Sequence, residues 1–521
     1  MLSDTQQLIS ALNNPRLYDH PVANVEIIET HISWVILTGA YAYKIKKPVD
    51  LGFLNFSTLS SRKHYCELEL KLNKRLAPDY YLDVVAITGT HKNPEFRSEV
   101  SDDTDVIEYA LKMVQFPQEN ELDRELAAGN LDEHAMNLIA EKIADFHQTI
   151  DIANSEQNFG DLNHIFQPAL NCYTEILKKI SDENDIQRVE KLRNWSSSSF
   201  EKLKQTFILR KQDGFIRECH GDLHLRNIAI VNEKVVAFDC IEFNEDLRWN
   251  DLMSEIAFLV MDLDDHQEPA LASCFLNRYL ELTGDYPGLK VFRYYLVYRA
   301  IVRAMVCCIR LSQADISAHE RASEYTEFLK YITLAEKYTA NPETALFIMH
   351  GLSGSGKTTA SQILLQAFSA IRIRSDIERK RLSGLNEKQR DKQGLGKGIY
   401  SSRSGKQTYD RLYQLAEQLL DAGFSVIVDA TFLKRRQRKE FEKLADIKNI
   451  NYRIFHCYAP GSVMQNRLIQ RNKQNKDASD ADITVLQHQI EQDEDFSTEE
   501  KTQLVEINTE EKITKETLKV H

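Results

Sequence analysis

Residues 351–358 read Gly-Leu-Ser-Gly-Ser-Gly-Lys-Thr and follow directly on the apolar run Ala345-Leu-Phe-Ile-Met349. A buried strand, a glycine-rich turn and a helix in that order leave few folds open. The spacing G-x-x-x-x-G-K-[ST] has a physical basis: glycines let successive backbone N–H groups turn inward around phosphate oxygens. The helix that starts near Lys357 adds its positive N-terminal end. Gly351, Ser353, Gly354, Ser355, Gly356, Lys357, Thr358 and Thr359 are therefore the candidate cradle for ATP. Lys357 reaches the β- and γ-phosphates in such a loop, and Thr358 ligates Mg2+.

From residue 345 onward, strand-like and helix-like runs alternate, as they do in a parallel α/β sheet. Ala370–Asp376 reads as a strand ending in a carboxylate, and Ser425–Asp429 as a clearer buried strand ending in another. In an open parallel sheet both acids lie at the carboxyl edge, beside the phosphates. Asp376 is the candidate to orient or deprotonate an acceptor hydroxyl, and Asp429 the candidate to organise Mg2+ through water. A helix N-cap is the alternative role for each. Arg467 and Arg471, four residues apart, share one helix face. Turned to the phosphates they stabilise charge on the transferred group; turned outward they are solvated surface. Lys434–Lys439 reads as a basic helix surface, with contact to a phosphorylated or nucleic-acid substrate as its alternative. The acidic tail, residues 491–521, is expected to be partly mobile.

This arrangement resembles the P-loop kinases related to polynucleotide kinase, gluconate kinase and zeta toxin. Ser375-Asp376, Val428-Asp429-Ala-Thr431 and the paired arginines carry the likeness, over residues 345–510. The resemblance implies phosphorylation of a hydroxyl on a small molecule or nucleic acid and leaves the acceptor open.

The first 340 residues carry a second signature, Cys219-His220-Gly221-Asp222-Leu-His224-Leu-Arg226-Asn227, followed by Val235-Val-Ala-Phe238-Asp239. An Asp, an Asn five residues later and an Asp ending the next strand have the spacing of a kinase catalytic loop. Asp222 is the candidate base for the acceptor hydroxyl, and Asn227 and Asp239 the candidate Mg2+ ligands. These residues resemble the aminoglycoside phosphotransferase-like branch of the protein-kinase fold, which uses His-Gly-Asp in this loop. The resemblance implies that Lys44, in Ala42-Tyr43-Lys44, grips phosphates, with Lys46 on the same strand face as its rival. Its acidic partner is expected on the next helix, as Glu69 or alternatively Glu67. Asp251 matches a family position that supports the catalytic loop. One departure is plain: no G-x-G-x-x-G occurs in the first hundred residues, and only Gly39 and the Thr30–Ser33 turn are placed to cover phosphates.

The implied fold class is an α+β protein-kinase-like N-terminal domain, residues 1–340, followed by an α/β P-loop NTPase domain with a parallel sheet, residues 341–521. Asn341-Pro342 marks the boundary, since it breaks the preceding helix just before a new strand. That order is similar to a bacterial family of paired phosphotransferase and P-loop domains, through Thr38–Phe56 and Leu72-Asn-Lys-Arg-Leu-Ala-Pro78.

Charge and cysteine usage narrow the class. The net charge of −13 divides into −18 over residues 1–344 and +5 over residues 345–521, and residues 345–490 alone reach +11. A basic P-loop segment suits a polyanionic ligand. Eight scattered cysteines without a CxxC pair exclude a zinc ribbon or disulfide framework and point to a reducing cytoplasm. The first residues lack the basic and apolar regions of a secretory signal. The most apolar helical stretch, Tyr294–Leu311, contains Arg299, Arg303 and Arg310, which argues against a membrane span. The expected activity is ATP- and Mg2+-dependent transfer of the γ-phosphate to a hydroxyl of a small molecule, at two sites. The alternatives are an N-terminal domain that only senses nucleotide, and a P-loop domain that phosphorylates nucleic-acid 5′-ends. Oligomeric state is not readable.

Overall fold

The computed structural model describes residues 4–50, 52, 54–97, 105–313, 316–387, 389, 401–474, 482–514 and 516–518. Leu51 and Phe53, within the Thr38–Phe56 segment, lie outside them. The chain divides into two compact units, residues 1–172 with 204–262, and residues 173–203 with 263–521.

The first unit is built on a six-stranded antiparallel sheet in the order β1-β2-β3-β6-β4-β5. Its strands are β1 (Glu26–Glu29), β2 (Ser33–Leu37), β3 (Tyr41–Lys46), β4 (Tyr81–Thr90), β5 (Asn93–Arg97) and β6 (Val106–Val114). Alternation along Tyr-Ala-Tyr-Lys-Ile-Lys decides what each face of β3 does. Tyr43 and Ile45 join Ile36, Val85, Ile87 and Ala110 in a core that Leu8 and Leu12 of the helix Asp4–Leu12 complete. Lys44 and Lys46 are left on the opposite face, on the side of the helix Leu59–Asn73. Thr58 caps that helix by accepting the Ser61 N–H at 3.1 Å.

Below the sheet, β7 (Ile216–Glu218) pairs with β10 (Trp249–Asp251). The hairpin β8 (Ile228–Val231) and β9 (Lys234–Ala237) turns on Asn232 and Glu233, both at positive φ, as a tight two-residue hairpin requires. The segment Cys219–Asn227 precedes β8, and Asp239 follows β9.

The second unit contains a five-stranded, all-parallel sheet in the order β12-β13-β11-β14-β15. Its strands are β11 (Ala345–His350), β12 (Ile371–Arg374), β13 (Val426–Asp429), β14 (Asn451–Tyr458) and β15 (Leu504–Asn508). Every residue of β13 is buried, as expected where helices cover both faces of a parallel sheet. The helices Pro269–Thr283, Leu289–Leu311 and Ala318–Thr339 belong to the same compact unit. No described helix is long and apolar enough to cross a membrane.

The α+β class expected for the first part and the α/β P-loop class expected for the second are what the structure shows. One detail differs. Asp376 does not end a strand: β12 stops at Arg374, and Asp376 sits in the first turn of the helix Ser375–Leu382. The alternating Ile-Arg-Ile-Arg run is a strand only while it pairs with β13, whose register ends at Arg374↔Asp429. Within the acidic tail, β15 pairs in parallel with β14 from Ile454↔Leu504 to Tyr458↔Asn508.

Candidate functional site

In the first unit the alternation of β3 and one turn of the helix Leu59–Asn73 converge. Lys44 Nζ donates to Glu69 Oε1 at 2.8 Å and to Asp239 Oδ1 at 2.5 Å. Lys46 Nζ donates to Glu69 Oε2 at 2.6 Å and to Glu242. The two lysines are not equivalent: the Lys44 side chain retains 12% exposure, whereas that of Lys46 retains 1%. Glu67 is exposed on another face of the helix. Burial pushes the Glu69 carboxyl up, but the adjoining ammonium groups of Lys44 and Lys46 outweigh it and hold the group down to about 2. Glu242 moves the other way, because its burial outweighs the attraction of Lys46.

The Asp222 loop is held from below. Glu255 accepts the backbone N–H groups of His220 at 2.7 Å and Gly221 at 3.0 Å, and Asp262 accepts that of Leu225 at 2.9 Å. Gly221 has φ +89°, and a Cβ there would stand 2.9 Å from the Leu247 carbonyl oxygen, so the turn requires glycine. His220 Nε2 faces the Phe238 carbonyl at 2.8 Å while its Nδ1 faces the Asp222 N–H at 3.3 Å. A carbonyl only accepts, so Nε2 carries the proton. Burial lowers His220 to about 4 and keeps this neutral tautomer at ordinary pH.

Asn227 Nδ2 donates to the Asp222 carbonyl at 2.9 Å and to its Oδ2 at 3.0 Å. The Phe238 N–H donates to the Asn227 carbonyl at 2.9 Å, which sets Asn227 beside the residue before Asp239. Asp239 adopts φ +64°, in the left-handed region that aspartate tolerates better than most residue types, and its N–H donates to the Tyr81 hydroxyl at 3.1 Å. Lys44, Glu69, Asp222, Asn227 and Asp239 are thus brought into one connected cluster. Asp251 forms a buried two-point ion pair with Arg210, at 2.7 Å on each side, and accepts the Met253 N–H. The turn between β1 and β2 is short and closed by the Thr30 N–H donating to the Ser33 carbonyl at 2.9 Å.

In the second unit the P-loop opens into a cavity of about 610 Å³. Ser353, Gly354, Gly356, Lys357, Thr358, Thr359, Asp376, Asp429, Arg467 and Arg471 all line it. Gly356 caps the helix Lys357–Phe368 at φ +88°, and a Cβ there would lie 2.9 Å from Thr509 Cβ. The Ser355 hydroxyl is buried and has no hydrogen-bond partner among the described residues, and Lys357 Nζ donates to the Leu352 carbonyl at 2.8 Å. Burial lowers Lys357, with Asp429 and Asp376 opposing. An inward cradle with an orphaned hydroxyl and a desolvated ammonium fits phosphate oxygens. The hard oxygens of Thr358 and Asp429 suit Mg2+. Asp429 is 5% exposed, and Ser361 Oγ donates to its Oδ2 at 3.1 Å.

Asp376 accepts from Arg379 at 2.7 Å. Arg467 is tied to the loop itself: Nη1 donates to the Gly354 carbonyl at 3.2 Å and Thr509 Oγ1 at 2.9 Å, and Nη2 to the Thr509 carbonyl at 2.8 Å. The basic run at 434–439 is broken by Arg438, which is buried against Glu500 at 2.7 Å. Sequence reasoning missed Glu242, Glu255, Gln489 and Thr509. Gln489 Oε1 accepts the Ser353 N–H at 2.7 Å, and Thr509 Oγ1 donates to the Ser355 carbonyl at 2.8 Å. No local spacing marks any of them.

Residues 346–494 match the family model described as an AAA domain. An uncharacterized protein of Mycobacterium tuberculosis is 29% identical over 469 residues, covering 88% of this chain and 89% of that one. Among solved structures, an amicoumacin kinase in complex with AMP-PNP, Ca2+ and its ligand aligns with 64% of this chain and 94% of its own, at 12% identity and a TM-score of 0.40. A gluconokinase from Sinorhizobium meliloti aligns with 34% of this chain and 90% of its own, at 19% identity and a TM-score of 0.24. The family match therefore falls on the segment of the chain that carries the P-loop.

Proposed function

We propose that this chain is a cytoplasmic ATP- and Mg2+-dependent phosphotransferase with two nucleotide sites. One lies in a kinase-like domain over residues 1–340 and one in a P-loop domain over residues 341–521. Each transfers the γ-phosphate to a hydroxyl of a small molecule. The observation that carries the reading is Lys44 bridging Glu69 and Asp239, in a chain that also folds a P-loop around Lys357. In the first site the acceptor oxygen attacks the γ-phosphorus, its proton passes to Asp222, and the bond to the β,γ-bridging oxygen breaks to release ADP. Asn227 and Asp239 would hold Mg2+, which would supply charge neutralisation there. In the second site Asp376 orients the acceptor, and Asp429 with Thr358 would hold Mg2+. Lys357 exchanges the Leu352 carbonyl for phosphate, and Arg467 and Arg471 face the transferred group. Eight free, buried cysteines support a reducing compartment.

The closed β1–β2 turn without a glycine-rich loop favours a second reading, in which the kinase-like domain binds nucleotide without turnover. Burial of Arg438 weakens the nucleic-acid reading, since it removes one cation from the exposed cluster.

The test is a metabolite screen with purified protein and γ-labelled ATP, run on wild type, Asp222→Ala and Lys357→Ala. Each variant is expected to lose a different set of labelled products. Loss only with Lys357→Ala, together with retained nucleotide binding at the first site, identifies the sensor. No loss with either variant rejects the proposal.

A further inference from the structure

The P-loop sheet is joined, within the second unit, to a helix encoded some seventy residues upstream of the P-loop. Glu281, near the end of the helix Pro269–Thr283, is 3% exposed. Its Oε1 accepts from Arg372 Nε at 3.0 Å and Nη2 at 2.8 Å. Its Oε2 lies 3.6 Å from Arg374 Nη1 and 3.9 Å from Arg278 Nη1. Both Arg372 and Arg374 lead to Asp429. Arg372 Nη1 donates to Ser361 Oγ at 3.2 Å, and that hydroxyl is the one that donates to Asp429. Arg374 Nε stands 3.9 Å from Asp429 Oδ2. Two guanidinium groups therefore flank the carboxylate that faces the phosphate cavity, and Glu281 is the buried anion that touches both.

A carboxylate shared between a close guanidinium and a divalent cation is a competition for the same oxygens. With Glu281 present, Arg374 is drawn between two carboxylates at 3.6 and 3.9 Å, and Arg372 is occupied on its Nε side. Without Glu281, Arg374 keeps Asp429 as a buried acid at 3.9 Å.

We propose that Glu281 is a positioning residue for the P-loop site: it holds Arg372 and Arg374 so that Asp429 remains available to Mg2+. The proposal rests on the reading of Asp429 as the metal-side acid of a nucleotide site. It adds that the site is completed by a residue outside the segment that matches the AAA domain.

The test measures Mg2+-dependent binding of a fluorescent, non-hydrolysable ATP analogue to the full chain. An Asp239→Asn background silences metal binding at the other site. Glu281→Gln is expected to raise the Mg2+ concentration for half-saturation about tenfold, with little change in the affinity of metal-free nucleotide. Adding Arg374→Gln to Glu281→Gln is expected to restore it, which loss of packing alone would not allow. Half-saturation within twofold of wild type in Glu281→Gln, or no restoration in the double variant, overturns the proposal. Lys357→Ala separates the two levels: if it leaves binding unchanged, the nucleotide site itself is misread, whereas its effect alone leaves the site standing and Glu281 without this role. Should Glu281→Gln not fold, Arg374→Gln decides by itself. It is expected to lower the half-saturating Mg2+, and a rise overturns the proposal.

Discussion

The two lysines of β3 illustrate how burial separates residues that pattern alone leaves equal. Both lie on one strand face and both touch Glu69, yet only Lys44 also reaches Asp239 and retains exposure. Lys46 is enclosed between Glu69 and Glu242. Removing one member of a buried ion cluster leaves the others uncompensated, at about 3–5 kcal/mol. Lys46→Met is therefore expected to lower the unfolding free energy by about 3 kcal/mol or more in urea titration. Lys44→Met is expected to cost less stability while abolishing any product that also depends on Asp222. Equal stability losses in the two variants would contradict this division of labour. The Ala-x-Lys match put Lys44 first with Lys46 as its rival, and the family resemblance placed the acidic partner on the next helix as Glu69 or Glu67. Glu242 was illegible because its partner Lys46 lies 196 positions away in the chain.

At the level of elements, strands with strong β-branched runs were legible. Ser425–Asp429 corresponds to β13 within a residue. What failed were elements whose existence depends on a neighbour. β7 and β10 are three residues each and exist through their mutual pairing. β15 carries Glu506 and sits in a segment of net charge −6, a composition that reads as solvated tail. It is a strand because β14 offers a parallel edge, and because Arg438 and Thr509 anchor its two ends: Glu500 accepts from Arg438 before it, and Thr509 bonds the P-loop after it. Glu500→Gln leaves the Arg438 guanidinium buried without its counter-charge. It is expected to destabilise the P-loop unit by about 3 kcal/mol. Removal of residues 500–521 is expected to abolish Lys357-dependent nucleotide binding as well. Thermal melts and nucleotide titration check the two, and a truncated chain that still binds nucleotide with wild-type affinity would show the tail to be dispensable.

For the whole molecule, chain organisation and compactness give different divisions. The break at Asn341-Pro342 is real as a change of secondary structure, since the helix Ala318–Thr339 ends there and β11 begins at Ala345. Compactness instead groups residues 263–340 with the P-loop sheet. The reason lies at the outer edge of that sheet. β12 is an edge strand, and an unpaired edge needs cover. The Asn277 side chain provides it as a strand would: its Oδ1 accepts the Arg372 N–H at 2.7 Å, and its Nδ2 donates to the Ala370 carbonyl at 3.0 Å. Arg278 adds a two-point pair with Glu387 at 2.7–2.8 Å, and Arg293 Nη2 donates to the Gly423 carbonyl at 3.0 Å. None of these contacts follows from local pattern, because helix and strand are some ninety residues apart and polar residues on a helix read as solvated. A fragment of residues 341–521 keeps the P-loop and every strand of the sheet but exposes the β12 edge and leaves the buried Arg372 without Glu281. It is expected to melt well below the corresponding transition of the full chain and to self-associate through the bared edge. Circular dichroism melts and size-exclusion chromatography measure both. A monomeric fragment melting with the full chain would show that the upstream helices merely rest on the sheet, and the division at 340/341 would then hold energetically as well as in sequence.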